Sequence, residues 1–97
     1  MIRNVVMVRL RPDADRDEVA AIQAGLQAMD LPGTLSYTLG DDLGLREGNW
    51  SFAIVADFAD AGTYRDYDLD AGHNDLRARL APLTEQVARV QFEVPGR

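Results

Sequence analysis

The sequence predicts an α+β fold in which strands and helices follow the order β-α-β-β-α-β. Two segments, residues 2–10 and 50–58, are rich in the β-branched and aromatic residues that are typical of strands. A third segment, residues 15–29, has apolar residues at helical spacing. The 97 residues contain no linker or internal repeat, so we expect a single domain over residues 1–97.

The first strand is predicted at residues 2–10, which are rich in valine. Because side chains alternate between the two faces of a strand, Val6 and Val8 lie on one side and Val5 and Met7 on the other. Both sides of this strand are therefore apolar at its middle.

The first helix is predicted between an aspartate cap, Asp13 or Asp15, and about Met29. Its apolar residues form one stripe that would be buried, made of Val19, Ile22, Leu26 and Met29. Pro32 and Gly33 end the helical pattern.

Three later segments alternate between apolar and polar residues, as strands with one buried side do. They are residues 34–40, with Leu35, Tyr37 and Leu39 on one side, residues 50–58, and residues 88–94. Glycine, aspartate and asparagine residues predict a loop at 41–49.

The second helical region is predicted between the third and fourth strands. Asp60 can cap a short helix that contains Tyr64 and Tyr67. Gly72 is expected to interrupt this helix, and a second short helix follows until Pro82 bends or closes it.

This order of elements is that of the ferredoxin-like split β-α-β unit, with two helices on one face of a four-stranded antiparallel sheet. The other face of the sheet would mix valine with small and hydroxyl-bearing residues. A sheet face of this kind usually meets a partner, and a second copy of the chain is the simplest one. We therefore expect a homodimer in which the two sheets pack against each other around a two-fold axis.

Composition excludes several classes of function. The net charge of −6 argues against binding to nucleic acid or an anionic membrane. The chain has no cysteine, all ten basic residues are arginine, and His73 is the single histidine. These counts exclude thiolate metal sites, lysine Schiff bases and histidine-rich metal centres. From these counts we expect a protein that needs no metal and no cofactor. Because the sequence has no long apolar run and nothing that resembles a signal peptide, we also expect it to be cytoplasmic.

Four segments also resemble a known family, the stress-responsive α/β-barrel (Dabb) domain. They are residues 2–10, Asn49-Trp50 before residues 52–55, Tyr67 with His73 six residues later, and Leu80-Ala81-Pro82-Leu83. Their order and spacing cover essentially the whole chain. The resemblance implies a dimeric α+β barrel made of two sheets packed back to back.

The functions within that family are mixed. Many members are stress-induced proteins, and some plant relatives are enzymes, among them a polyketide cyclase and a hydroxynitrile lyase. In the cyclase-type members a tyrosine and a histidine, spaced as Tyr67 and His73 are, act at a pocket between helices and sheet. This chain departs from the family pattern at Asn4, where a histidine is frequent. It also has Asp70-Ala71-Gly72-His73 where His-Pro-x-His is frequent.

The candidate site residues follow from this resemblance and from side-chain chemistry. His73 is the one side chain whose ordinary pKa lies near neutrality, which suits an acid or base in carbon-acid chemistry. Tyr67 can donate a hydrogen bond to a developing oxyanion, and Asn4 can assist by a hydrogen bond. Tyr37 and Trp50 are candidates for lining a ligand cavity.

Each of these assignments has a structural alternative. His73 could cap or bridge the helix break with Tyr67 as core filler, and Tyr37 and Trp50 could belong to the core or to an interface. The oxygen-rich loop of Asp41, Asp42, Glu47 and Asn49 could hold Mg²⁺ or Ca²⁺, but charged loops are more often simply solvated.

Two functional hypotheses remain open at this point. One is a cofactor-independent lyase or cyclase that acts on a small, partly apolar carbonyl or phenolic compound through His73 and Tyr67. The other is a non-catalytic stress-response or ligand-binding dimer in which His73 is structural. A continuous cavity that reaches both residues would favour the first hypothesis. A filled interior, with His73 bonded only to backbone, would favour the second.

Overall fold

A computed structural model describes residues 1–95, and these residues form four strands and three helices. The strands are β1 (Ile2–Leu10), β2 (Thr34–Asp41), β3 (Phe52–Phe58) and β4 (Thr84–Glu93). The helices are α1 (Arg16–Ala28), α2 (Ala61–Leu69) and α3 (Ala71–Leu80), and a 3₁₀ turn at Ala81–Leu83 follows α3. No helix within residues 1–95 is long and apolar enough to cross a membrane.

The strands form one sheet in the order β2-β3-β1-β4, and all neighbouring pairs are antiparallel. This topology confirms the predicted ferredoxin-like α+β fold. We call the side of the sheet that carries the helices the helix face. The opposite side is the outer face, where Val5 pairs with Val55 on one neighbour and with Val90 on the other.

The start of α1 confirms one of the two predicted caps. The Asp15 side chain accepts hydrogen bonds from the backbone N–H groups of Asp17, at 2.9 Å, and Glu18. These bonds satisfy donors that the first helical turn leaves unpaired. The predicted stripe then packs on the helix face, where Val19, Ile22 and Leu26 are buried.

The core lies between α1 and the helix face of β1 and β3. Its buried residues include Val8 from β1, Ile22 from α1 and Phe52 from β3. A smaller cluster, Ala56, Phe58 and Tyr67, lies under α2. The sheet is therefore covered over β1 and β3, whereas almost all of β4 is exposed.

Two strand predictions need correction. Leu35 was expected beside Tyr37 on the buried side, but it is 58% exposed because the β2–β3 register shifts between Thr34 and Ser36. The last strand was expected at residues 88–94, but β4 begins at Thr84. Its first residues are polar and pair with the end of β1, so they lack the apolar alternation by which sequence analysis finds strands.

The helix break also lies at a different residue from the one predicted. Asp70, not Gly72, separates α2 from α3, and it has an extended backbone conformation. Gly72 lies in the first turn of α3. A residue that ends one helix and caps the next gives a weaker sequence signal than glycine, which is why the break was misplaced.

Candidate functional site

A cavity of about 390 Å³ opens between α2, α3 and β4 on the helix face of the sheet. Its floor comes from β1 and β3 through Asn4, Val6, Val8 and Ile54, and its helical wall includes Tyr64, Tyr67, His73, Arg77 and Leu80. Arg89, Glu85 and Val87 of β4 lie at its rim. The cavity exists because the helices cover β1 and β3 but leave β4 open.

The break at Asp70 places His73 on the cavity wall. The Asp70 side chain accepts a hydrogen bond of 2.9 Å from the backbone N–H of His73 and so caps α3. His73 then lies in the first turn of α3, and its imidazole is 4.0 Å from the ring of Tyr67, centroid to centroid. The cap is therefore the Asp70 carboxylate, and the capping role considered for the His73 side chain is wrong.

His73 is a buried histidine, only 6% exposed. Its Nδ1 is 3.2 Å from Nη2 of Arg77, one helical turn further along α3. Burial, helped by the positive charge of Arg77, lowers the pKa of His73 to about 4. The ring is thus neutral at physiological pH.

Tyr67 is buried and its hydroxyl oxygen lies 3.1 Å from that of Tyr37 on β2. Burial raises the pKa of Tyr67 far above its ordinary value, so the phenol keeps its proton. When Tyr37 donates within the pair, the proton of Tyr67 remains available to a ligand. Tyr37 is absent from the cavity lining and lies behind Tyr67.

Asn4 is 3% exposed and lies on the cavity floor. Its Oδ1 accepts a hydrogen bond of 2.8 Å from Nε2 of Gln91, the residue opposite it on β4. This bond leaves the Asn4 amide N–H groups as the donors on its free side. The fold therefore gathers Asn4, Tyr67 and His73, which are far apart in the sequence, around one space.

Trp50 lies away from this cavity, in the segment between β2 and β3. The guanidinium of Arg9 stacks over its ring, 5.2 Å from the centroid. In the same loop the Asp42 carboxylate accepts bonds of 2.9 Å from both Asn49 and the backbone of Gly44. Over residues 1–95, no group of three His, Cys, Asp or Glu side chains is placed to hold a metal ion.

Several residues at or next to the cavity were not predicted from the sequence. Arg77 and Arg89 were not singled out as site residues, although both line the cavity. The spacing of His73 and Arg77, four residues apart, was the available signal, since such residues are neighbours on a helix. It becomes visible once α3 is known to start at Ala71. Gln91 could not be found, because its contact with Asn4 depends on the register of β4.

The comparisons with known proteins agree with this architecture. A dimeric ferredoxin-like protein of unknown function from Thermobifida fusca is 31% identical, with a TM-score of 0.86, and the match covers 96% of this chain and 90% of that one. A hydroxynitrile lyase from Passiflora edulis is 17% identical, with a TM-score of 0.81 and coverage of 97% and 93%. A Dabb family protein with a ferredoxin-like fold from Mesorhizobium loti is 20% identical, with a TM-score of 0.74 and coverage of 98% and 97%. No curated protein matches the chain.

The family model for the stress responsive A/B barrel domain matches residues 2–94. That match includes every strand and helix described above and all the residues that line the cavity. The predicted family is thus confirmed, and the chain belongs to the stress responsive A/B barrel (Dabb) domain family.

Proposed function

We propose that the cavity binds a small, partly apolar carbonyl or phenolic compound and that the chain acts on it as a cofactor-independent lyase or cyclase. The observation that carries this proposal is one open space, largely apolar, that reaches both Tyr67 and His73. Its volume of about 390 Å³ is within the usual range for small-molecule sites.

The polar groups suit chemistry at a carbonyl oxygen. Carbon–carbon bond cleavage or ring closure beside a carbonyl places negative charge on that oxygen, and neutral donors in an apolar site stabilise it well. Tyr67 is such a donor, and His73 meets the ligand through Nε2 because Nδ1 faces Arg77. Asn4 supplies an amide on the opposite side of the space.

A direct test uses an aromatic hydroxynitrile as the probe, because a solved structure of the same fold is a hydroxynitrile lyase. Release of the aldehyde is followed by its ultraviolet absorbance in the wild type, Tyr67→Phe, His73→Gln and the double variant. Tyr67 and His73 each donate a hydrogen bond to the substrate oxygen in this proposal, and loss of one such oxyanion donor lowers the rate by about 10²–10³. Because the two groups act together, the double variant should lose little more than the worse single one.

Trp50→Phe is the matched control, since it also alters an aromatic side chain but lies outside the cavity. It should turn over at the wild-type rate. Equal activity in all four proteins and the control would contradict the roles of Tyr67 and His73. No turnover of aromatic hydroxynitriles or of polyketide-like diketones by the wild type would contradict the enzymatic proposal.

The second candidate function is ligand binding without turnover, and a specific observation favours it. Nδ1 of His73 is engaged by Arg77, and the pKa of the ring is about 4, well below the range in which a general base works best at neutral pH. A wild type that is stabilised by an apolar carbonyl compound in a thermal melt, yet leaves it chemically unchanged, would support this candidate.

We also infer that the chain forms a homodimer through the outer face. Val90 and Phe92 on β4 and Met7 on β1 lie on this face and are 54%, 47% and 42% exposed. Exposed apolar residues on one sheet surface indicate an interaction site. The Thermobifida fusca protein, which has the same fold at 31% identity, is dimeric.

A further inference from the structure

One nitrogen atom of Arg77 connects three side chains at the cavity wall. Nη2 donates to Oδ1 of Asp68 at 2.7 Å and lies 3.2 Å from Nδ1 of His73. A terminal guanidinium nitrogen carries two hydrogens, so it can serve both partners at once. Asp68 belongs to α2 and His73 to α3, and Arg77 therefore bridges the two helices across the break at Asp70.

This contact determines where the proton of His73 lies. A guanidinium is always charged and has no acceptor, so Arg77 can only donate to the ring. Nδ1 must then present its lone pair, and in a neutral imidazole the hydrogen is on Nε2. Within residues 1–95 the structure gives Nε2 no hydrogen-bond partner, so this N–H is free for a ligand.

We propose that Arg77 is a positioning residue that holds His73 as the neutral Nε2–H form, so that the cavity offers its ligand a hydrogen-bond donor rather than a base. The cavity should accordingly prefer compounds that bring an acceptor oxygen, such as a ketone, over compounds of the same shape that bring an ammonium group. This preference rests on the proposed function, whereas the state of the ring does not.

The charges around the ring are consistent with that form. Burial lowers the pKa of His73 most, Arg77 on α3 and Arg89 on β4 lower it further, and Asp68 and Asp70 oppose them. The phenols of Tyr67 and Tyr64 face the same space and remain neutral, because burial raises the pKa of each. The imidazole of His73 is therefore uncharged and carries its one N–H hydrogen on Nε2.

The test is ¹⁵N nuclear magnetic resonance of the imidazole, which needs no assignment because the chain has one histidine. In the wild type at neutral pH, Nε2 should be the protonated nitrogen, Nδ1 should show the shift of a hydrogen-bonded acceptor, and the titration midpoint should lie near 4. In Arg77→Met the Nδ1 signal should move to that of a free acceptor. The midpoint should rise by at least about one pH unit, because a neighbouring positive charge is removed.

Arg79→Met is the matched control. Arg79 lies on the same helix and pairs with Glu18, so this change also removes one charge and one ion pair, but away from the ring. Its ring signals and midpoint should equal those of the wild type. Arg77→Lys keeps the charge and guards against misfolding of the methionine variant, and it should give an intermediate Nδ1 shift, since an ammonium lacks the planar fork.

A ring protonated on Nδ1 in the wild type, or equal ring signals in Arg77→Met and Arg79→Met, would overturn the inference. The ligand preference is tested with acetophenone and 1-phenylethylamine, which share one skeleton. Acetophenone should shift the Nε2 signal of the wild type and the amine should not. If the ring is in the Nε2–H form but acetophenone does not shift its signal, the proposed ligand class is contradicted and the role of Arg77 is not.

Discussion

His73 illustrates which properties of a residue its sequence neighbourhood predicts. The resemblance to the family and the ordinary pKa of histidine were enough to select it together with Tyr67. Its chemical state was not predictable, because burial and the contact with Arg77 lower the pKa to about 4. Both causes depend on how α3 packs against the sheet, which the sequence around His73 does not show.

The lowered pKa of His73 predicts a pH dependence of stability. The unfolded chain takes up a proton at the ordinary value of 6.5, whereas the folded chain does so only near 4. The contribution of His73 to the free energy of unfolding should therefore be complete above pH 6.5, and it should be lost as the pH is lowered from 6.5 towards 4. A pKa shift of this size lowers the free energy of unfolding by about 3 kcal/mol once the pH is below 4.

Urea unfolding of the wild type and His73→Gln across this pH range measures the effect. The variant has no titrating group at this position, so its stability should fall less over the window, while carboxylates contribute alike to both proteins. Parallel curves for the two proteins would show that His73 titrates normally in the folded state.

At the scale of elements, the sequence predicted those that local rules define. β1 has its predicted bounds, and α1 begins at a predicted cap. The prediction failed where tertiary contacts decide. The bulge that exposes Leu35 and the early start of β4 both arise from pairing with another strand. Short-range patterns carry no information about such partners.

Asp70 is the element-scale residue on which the site depends most. Asp70→Ala removes the cap of α3, and loss of such a cap costs roughly 1 kcal/mol of stability. Because the same carboxylate raises the pKa of His73, its removal should also lower the midpoint of the ring titration further below the ordinary value.

Asp75→Ala is the control for that experiment, since Asp75 is an exposed carboxylate on the same helix. Urea unfolding and ring titration of both variants decide the outcome. Equal stability of the two variants would mean that Asp70 does not act as a cap in solution.

At the scale of the whole molecule, the order of elements was sufficient for the fold, and the apolar second face of the sheet pointed to a partner. A pocket between helices and sheet was expected only from the resemblance to the family. Its size and position could not be predicted, because it is an unfilled volume. It depends on how far the helices stop short of β4, and no pattern in the residues of one element records that distance.

The outer face predicts a dimer that a single charge should disrupt. A stable sheet-to-sheet interface buries roughly 1,600 Å² in total, and an aspartate at Val90 would place an unpaired charge within it. Light scattering at micromolar concentration should give twice the chain mass for the wild type and the single mass for Val90→Asp.

Leu69→Asp is the control for this change, because Leu69 is 75% exposed and lies at the end of α2, on the helix face of the sheet. It should remain dimeric. A wild type of single mass at that concentration would rule out the barrel.

The exposed edge strand β4 also limits which insertions and deletions the gene can tolerate. Arg89 and Gln91 point to the cavity side, and Val90 and Phe92 point to the outer face. Because neighbouring residues of a strand face opposite ways, losing or gaining one codon within this stretch would exchange the two sets. A frame-preserving change of one residue would then put arginine on the apolar surface and valine in the cavity. Length in this strand should be under stricter selection than the identity of any one of its residues.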